Sequence, residues 1–442
     1  MKRILLIIAL SIPTFIFAQI TFTDEVEISD NTTGYGRPRL TLTANDIPLV
    51  IWFKEGGNQS VKISRGNGDG TFSVPTDVIT SDFEPTGFIG PEIAAKGDTV
   101  YIAFICGALS NNTIMIKKSF DGGLTFSDTI RVSPKDNNYK YAMPNVAVME
   151  DGNPVVTYMR SSSTWTDWEQ MVNVSTDFGL TFPNEVDGSA LAPGEPCDCC
   201  KSSVVTSGDN VYLIFRNDES NIRNMYISKS SDGGISFDSA EDLDDIDWII
   251  NSCPTSSGYG VVNGDSILIV RRNGGTGVHQ LYFSNVDKNT LQKEYYTELS
   301  PIGTGLQDKP AVAGDDNVVG VVWQDSRSGN NSCYFSYSTN GAHNLGSTIE
   351  MSDSTAFGHK THADIEYSNG IFYFVYRYNS GHSIMYKEFD LSGVNAINIP
   401  TNTDKTLLKT TDLLGRESNP KKNSPYLNIY NDGTVEKRVV IE

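Results

Sequence analysis

An eight-residue motif, Ser-x-Asp-x-Gly-x-x-Phe, stands three times in this 442-residue chain at almost even spacing. The copies are Ser119-Phe120-Asp121-Gly122-Gly123-Leu124-Thr125-Phe126, Ser175 to Phe182 and Ser230 to Phe237. Degenerate copies begin at Ser64, Ser284 and Ser338, so the period is 54–56 residues throughout. Self-similarity at a fixed period of this size signals a repeat architecture, in which each unit buries its apolar face only against its neighbours. The motif's chemistry is that of a turn. Its Asp (Asp121, Asp177, Asp232) accepts bonds from backbone N–H groups of its own turn. Its Gly tolerates positive φ, and its Phe starts the next strand and packs inward. None of this is catalytic chemistry.

A second rhythm supports the first. Alternating apolar runs recur around Trp52, Phe104, Tyr158, Phe215, Val270, Trp323 and Tyr376, at steps of 52–57 residues. Gly/Asn/Asp turns such as Asp151-Gly152-Asn153 separate them. Strands at even spacing with such turns mark an all-β chain. Seven runs predict seven four-stranded units. The seventh has no outer strand of its own, because residues after Phe389 turn to Asn/Pro/Thr linker. Ile20 to Ile28 resembles the outer strands elsewhere, so the N-terminal strand is predicted to complete the last unit and close the ring, leaving only short, protected edges.

The motif resembles the Asp-box of bacterial neuraminidase repeats, found in sialidase-like propellers. The resemblance implies an all-β, seven-bladed β-propeller over residues 19–393. The chain's two ends predict an itinerary. Met1-Lys2-Arg3, the apolar run Ile4 to Phe17 and Ala18-Gln19 read as a signal peptide over 1–18, too short for a comfortable membrane span. No other stretch reaches transmembrane length. Residues 394–404 read as linker. Residues 405–442, with Leu413-Leu414-Gly415-Arg416-Glu417 and a final β-branched run, resemble the sorting domain of the Bacteroidetes type IX secretion system. That resemblance implies type IX secretion machinery as a partner and a secreted or surface location. From its residues alone the segment reads as a small antiparallel sheet with a hairpin at Asn431-Asp432-Gly433, and an ordinary β appendage would look the same.

Net charge is −20 and the sequence pI about 4.6. With no Lys/Arg-rich run, nucleic acid is a poor partner. An anionic ligand would need a local cationic pocket against the overall field. Six cysteines in an exported chain favour disulfides. Cys197, Cys199 and Cys200 precede the inner strand of the fourth unit and Cys253 that of the fifth, so a staple between neighbouring units is the main reading. A thiolate metal site is the other, although Cys-x-Cys-Cys lacks zinc-finger spacing. His359 and His362 read as hydrogen-bonded loop histidines rather than ligands. No metal or cofactor is expected.

In a propeller, the loops entering strand 1 and leaving strand 2 share one face, opposite the Asp-boxes. That face carries Arg37, Arg39, Glu92, Arg160, Arg216, Tyr259, Arg271, Arg272, Arg327, His362, Arg377 and Tyr378. Arg suits bidentate recognition of carboxylate or sulfate, so Arg37, Arg216, Arg271 and Arg377 are predicted to line one anion funnel. Salt bridges between units are the alternative use for each of them. The sialidase resemblance implies three Arg on a substrate carboxylate and a Tyr nucleophile helped by a Glu. Gly36-Arg37-Pro38-Arg39-Leu40 is the nearest match to its Arg-Ile-Pro motif, without the intervening aliphatic residue. Tyr378 becomes the candidate nucleophile, Glu92 its partner, and His362 or Tyr378 the base if the enzyme is a lyase. Sialidases have six blades where this chain predicts seven. The expected ligand is an acidic glycan or glycoconjugate, handled by a glycoside hydrolase or a polysaccharide lyase. A non-catalytic glycan- or protein-binding propeller is the alternative.

Overall fold

The computed structural model describes residues 20–391, apart from 31–33, 55–58, 81–82, 84–89, 108–111, 301–304, 340, 342–344, 347, 353–357 and 379–381, together with 407–412, 416–419, 425–430 and 435–439. The expected signal peptide and linker lie outside the described residues. No described helix is long and apolar enough to cross a membrane. The chain forms two compact units, one being Gln19–Gly393.

Within that unit, seven antiparallel sheets follow one another among the described residues. Their innermost strands are Tyr35–Thr43, Glu92–Lys96, Tyr139–Val148, Ser203–Ser207, Gly258–Asn263, Gln307–Gly314 and Lys360–Ser368. Each touches the innermost strand of the next sheet, and Lys360–Ser368 touches Tyr35–Thr43. The second strands are buried on both faces, as in Leu49 to Phe53 and Val211 to Phe215, because each is sandwiched between two sheets. This is why they read as continuous apolar runs. At the N-terminus, Thr21–Phe22 and Val26–Glu27 pair antiparallel with Ser383–Asp390. The seventh sheet thus takes its outer strand from the beginning of the chain.

The repeated motif is a turn staple. In the first copy the Ser119 hydroxyl donates to Asp121 Oδ1 at 2.7 Å and accepts from Gly123 N at 2.9 Å. Thr125 N donates to Asp121 Oδ1 at 2.9 Å. The copies at Asp177 and Asp232 repeat these bonds. Gly123 has φ +84°, and a Cβ there would stand 2.5 Å from Leu49 of the preceding sheet. The glycine therefore serves both the left-handed turn and a close approach between sheets.

These serine, threonine and backbone bonds hold the three aspartates down at about 2. A depressed carboxylate stabilises the fold above its unfolded pKa and loses that contribution as pH falls through the folded one. Stability is therefore expected to fall as pH drops from about 4 to about 2. Asp121→Ala should cost about 1 kcal/mol at pH 7 and should flatten this acid limb, as read by urea melts at several pH values.

The remaining unit contains the strands Leu407–Thr411, Pro425–Tyr430 and Val435–Val439 in one antiparallel sheet. The last two strands pair in register. The turn expected at Asn431 to Gly433, like Leu413 to Gly415, lies outside the described residues. Arg416 Nε donates to Asp412 Oδ2 at 2.8 Å.

Candidate functional site

Four innermost strands share one irregularity near their start. Pairing slips between Gly36 and Arg39, Ala142 and Asn145, Asp308 and Ala311, and Thr361 and Asp364. At each slip one residue takes left-handed backbone: Arg37 (φ 42°), Met143 (φ 54°), Lys309 (φ 50°) and His362 (φ 55°). A bulge of this kind inserts one residue and re-aims its side chain. Left-handed backbone in a non-glycine residue costs about 1–3 kcal/mol and concentrates at functional sites. Arg37, Lys309 and His362 line a single cavity with Arg39, Lys201 and Tyr259. The cavity offers about 40 Å³ to water-sized occupants. That is room for roughly three waters, the bulk of a carboxylate or sulfate group but not of a sugar ring.

The groups differ in charge state. Arg39 Nε donates to both Glu92 oxygens at 2.9 Å, and Lys201 makes a second salt bridge to the same carboxylate. Burial would raise the Glu92 carboxyl, but Arg39 and Lys201 outweigh it and hold it below the usual range. Arg37 is lowered by burial and by Arg39 to about 10, so it is cationic at neutral pH. Burial brings Lys309 down to about 8 despite Asp308, with Arg37 and Arg377 adding to the effect. Burial also lowers Lys201 to about 8. His362 is neutral, pushed well down by burial and then by Lys309 and the arginines. Its Nδ1 lies 3.0 Å from the Thr361 hydroxyl and its Nε2 2.9 Å from Lys309 Nζ. A neutral ring with its proton on Nδ1 therefore accepts from the lysine through Nε2. The Tyr259 phenol is raised by burial, against the pull of Arg39, whose Nη2 donates to its oxygen at 3.3 Å.

The funnel of four arginines is not assembled. Arg37 lines the cavity, and Arg377 is near enough for its charge to lower Lys309 and His362. Arg216 and Arg271 are fully buried elsewhere. The Arg216 guanidinium donates to the carbonyls of Ser256, Arg223 and Arg272. Arg271 is paired with Asp244. Both lie near the ends of the second strands Asn210–Asp218 and Ser266–Asn273, between sheets, where a guanidinium can satisfy several carbonyls at once. Tyr378 does not line the cavity either; its ring lies 5.7 Å from Lys360 Nζ. Glu92 sits behind Arg39 and Lys201 rather than open to a ligand. Tyr259, already placed on this face, is the tyrosine in the cavity.

Sequence reasoning missed Lys201 and Lys309. A signal for Lys309 was present. The dipeptides Arg37-Pro38, Met143-Pro144 and Lys309-Pro310 stand at multiples of the blade period, which marks equivalent bulges. Lys201 follows the cysteine run and carries no such mark.

At the cavity wall Cys199 and Cys253 form a disulfide with Cα atoms 6.1 Å apart, joining the loops before the fourth and fifth innermost strands. Cys197 and Cys200 are thiols with sulfurs 2.8 Å apart. The Cys200 contact, aided by Arg216 and Arg223, pulls Cys197 down to about 7. Three sulfurs do cluster, but Cys199 is spent in the disulfide and two guanidinium groups repel a cation, so the disulfide rather than the thiolate-metal reading fits. The bridge closes a loop with a sequence separation of 54. Cys253→Ser is therefore expected to lower stability by about 2–4 kcal/mol, read as a lower urea midpoint with a somewhat steeper slope, because the unfolded chain is freer to expand.

No family model matches the chain, and no curated protein matches it. Solved structures do. A protein of unknown function from Dyadobacter fermentans is 11% identical with TM-score 0.50, over 84% of this chain and 99% of that one. A polysaccharide lyase, an ulvan lyase bound to -[GlcA(1-4)Rha3S]-, is 11% identical with TM-score 0.53, over 82% of this chain and 95% of that one. A Trypanosoma rangeli sialidase in complex with the inhibitor DANA is 9% identical with TM-score 0.47, over 90% of this chain and 66% of that one. At such identities the likeness speaks for the fold, which is that of the β-propellers.

Proposed function

We propose that this protein is an exported, closed seven-bladed propeller that cleaves an acidic polysaccharide by β-elimination at the cavity on the face opposite its Asp-boxes. Ring closure is supported by the contact of the first and last innermost strands and by the N-terminal strand in the seventh sheet. Export through the type IX route rests on the sequence of 1–18 and 405–442. The observation that carries the activity is one small cavity in a chain of net charge −20. It gathers a permanent cation, a lysine near 8 and a buried phenol.

In this reading Arg37 binds the uronate carboxylate and stabilises the charge that develops on it when the adjacent C5–H bond breaks. The neutral amine of Lys309 takes that proton, its pKa being suited to a base near neutrality. One amine hydrogen stays on His362 Nε2, which turns the lone pair to the substrate, so His362 is a positioning residue rather than the base. The C5–H electron pair forms the C4=C5 double bond as the C4–O bond breaks. Tyr259, held protonated by burial, gives its proton to the leaving oxygen. The proton on Lys309 then returns to the Tyr259 phenolate through solvent.

Hydrolysis is less well served. It needs two carboxyl groups across the bond, or a Tyr–Glu couple with an arginine triad. Here Glu92 is neutralised by two cations, and Arg216 and Arg271 are structural. The ulvan lyase of the same fold makes a glucuronate–rhamnose 3-sulfate polymer the first substrate to try.

The test is a panel of acidic glycans with the purified protein, reading the ultraviolet absorbance of unsaturated uronate. A rising absorbance on a uronate glycan is expected. New reducing ends without that chromophore would replace the lyase reading with a hydrolase one, and binding without cleavage would leave a glycan-binding propeller. For cleavage, kcat should rise with pH through about 8 as Lys309 loses its proton. In His362→Gln this limb should move while KM changes little.

A further inference from the structure

The third sheet carries an aromatic surface that the cavity does not use. Its strands Pro154–Ser162 and Glu169–Val174 are joined by a short loop. Tyr139 pairs with Ser162, so the loop lies at the end of the sheet where the innermost strands start and the cavity opens. Trp165 is 41% exposed and Tyr139 36% exposed. The Trp165 and Trp168 rings lie 5.8 Å apart at 35°, and Trp168 is anchored against the core.

The loop is built rather than loose. Trp165 N donates to Ser162 O at 3.0 Å, and Ser162 N donates to Thr166 O at 2.7 Å. Trp165 and Asp167 both take left-handed backbone, φ 61° and 57°. Trp168 N donates to Glu195 Oε2 of the next sheet at 3.4 Å. Arg160, held by Glu169 and Glu185, stacks on Tyr139 at 4.6 Å. From Trp168 a groove runs past Glu195 and Pro196 to Asp198, Asp218 and Arg223. The next residue, Cys199, lines the cavity. The groove and the cavity are thus lined by consecutive residues, Asp198 and Cys199.

We propose that Trp165 and Trp168 form a sugar-binding subsite for an uncharged pyranose of the same polysaccharide whose uronate carboxylate enters the cavity. This rests on the acidic-glycan reading above and narrows it. A fixed aromatic face offers a large apolar area at little entropic cost, which suits the C–H face of a pyranose. The groove carboxylates of Glu195, Asp198 and Asp218 accept from ring hydroxyls. Its cation, Arg223, is already engaged by Asp218 at 2.9 Å and Asp198 at 3.6 Å. A sulfated ring would meet this acidic wall at a cost, because like charges across an interface oppose binding. The preferred polymer is therefore one in which uronate alternates with an unsulfated neutral sugar.

The experiment is a fluorescence titration of the full chain. Of its five tryptophans, Trp52, Trp248 and Trp323 are buried, so a sugar-induced emission change reports on Trp165 and Trp168. The probes are glucuronate–rhamnose oligosaccharides with and without the 3-sulfate, and neutral oligorhamnose. The wild type should respond to the unsulfated glucuronate–rhamnose probe at roughly ten-fold lower concentration than to its sulfated form, and measurably to the neutral one. Trp165→Ala should weaken the unsulfated probe about ten-fold, whereas Arg37→Ala should leave the neutral probe unchanged. Equal affinity of Trp165→Ala and wild type for the unsulfated probe, or a preference for the sulfated one, would overturn the subsite and leave the cavity reading standing. Loss of cleavage in neither Arg37→Ala nor Tyr259→Phe, with the Trp165 response intact, would sink the cavity reading and leave the subsite.

Discussion

Replacing Arg37 with alanine is expected to lower kcat/KM on a uronate glycan by about a hundred- to a thousand-fold. Elimination beside a carboxylate builds negative charge on that carboxylate in the transition state. A cation fixed at the right place stabilises this charge more than it stabilises the ground state. Arg37 is the cavity guanidinium available for this role, because Arg39 is occupied by Glu92. Lysine at 37 should restore only part of the rate, since a point charge replaces a planar fork. Tyr259→Phe should reduce kcat by about a hundred- to ten-thousand-fold with little change in KM, since only the proton for the leaving group is lost. Tyr378→Phe should leave both constants near wild type. Steady-state kinetics of these four variants on one substrate check the assignment. A silent Arg37→Ala beside a damaging Tyr378→Phe would reverse it.

Asp244→Ala is expected to be the most destabilising single change among the surface-remote pairs, at about 3–5 kcal/mol. The side chains of Arg271 and Asp244 are wholly buried and meet at 2.8 Å. Asp244 Oδ2 also accepts from Met225 N at 2.9 Å, and the guanidinium stacks on Tyr296 at 5.0 Å. Removing the carboxylate strands a guanidinium charge that burial makes costly and that cannot deprotonate to escape. Pairing the change with Arg271→Met should recover much of the loss, because a buried ion pair replaced by apolar groups is often near neutral. Urea unfolding of the two single variants and the double variant tests this. Glycan affinity of any variant that stays folded should match wild type, which separates Arg271 from anion binding. A large loss of affinity at unchanged stability would return Arg271 to the site.

Part of this arrangement is legible in the sequence. The Ser-x-Asp turns and the seven apolar runs follow from interactions spanning a few residues, and the borrowed N-terminal strand from the outer strand that the last repeat lacks. A Ser and an Asp two apart make the same turn wherever they occur. An apolar run needs only a neighbour on each side, which a repeat guarantees. A bridge from Cys253 to the Cys197–Cys200 run was legible for the same reason, since the repeat aligned two loops by one period, but its partner, Cys199, was not. Arg37, Tyr259 and His362 line one cavity and Glu92 pairs with Arg39 and Lys201, because strand order brings these segments to one end of the sheets.

What each of those side chains does there depends on half a turn of backbone. Side chains alternate between faces with a period of two, so one inserted residue reverses the direction of all that follow. The bulges at Arg37, Lys309 and His362 turn these groups into the cavity. Arg216 and Arg271, on unbulged second strands, turn between sheets and find carbonyls or a carboxylate. A following proline marks the bulges at Arg37 and Lys309 but not the one at His362, and Arg216 and Arg271 carry no mark of the partners they find. The chain by itself therefore determined the repeat, the strands and the turns, because their energetics are local. Only the tertiary structure decided which cations meet in a cavity and which are spent holding blades together, because that choice depends on register and on partners distant in the chain, from 27 residues for Arg271 and Asp244 to 109 for Lys201 and Glu92.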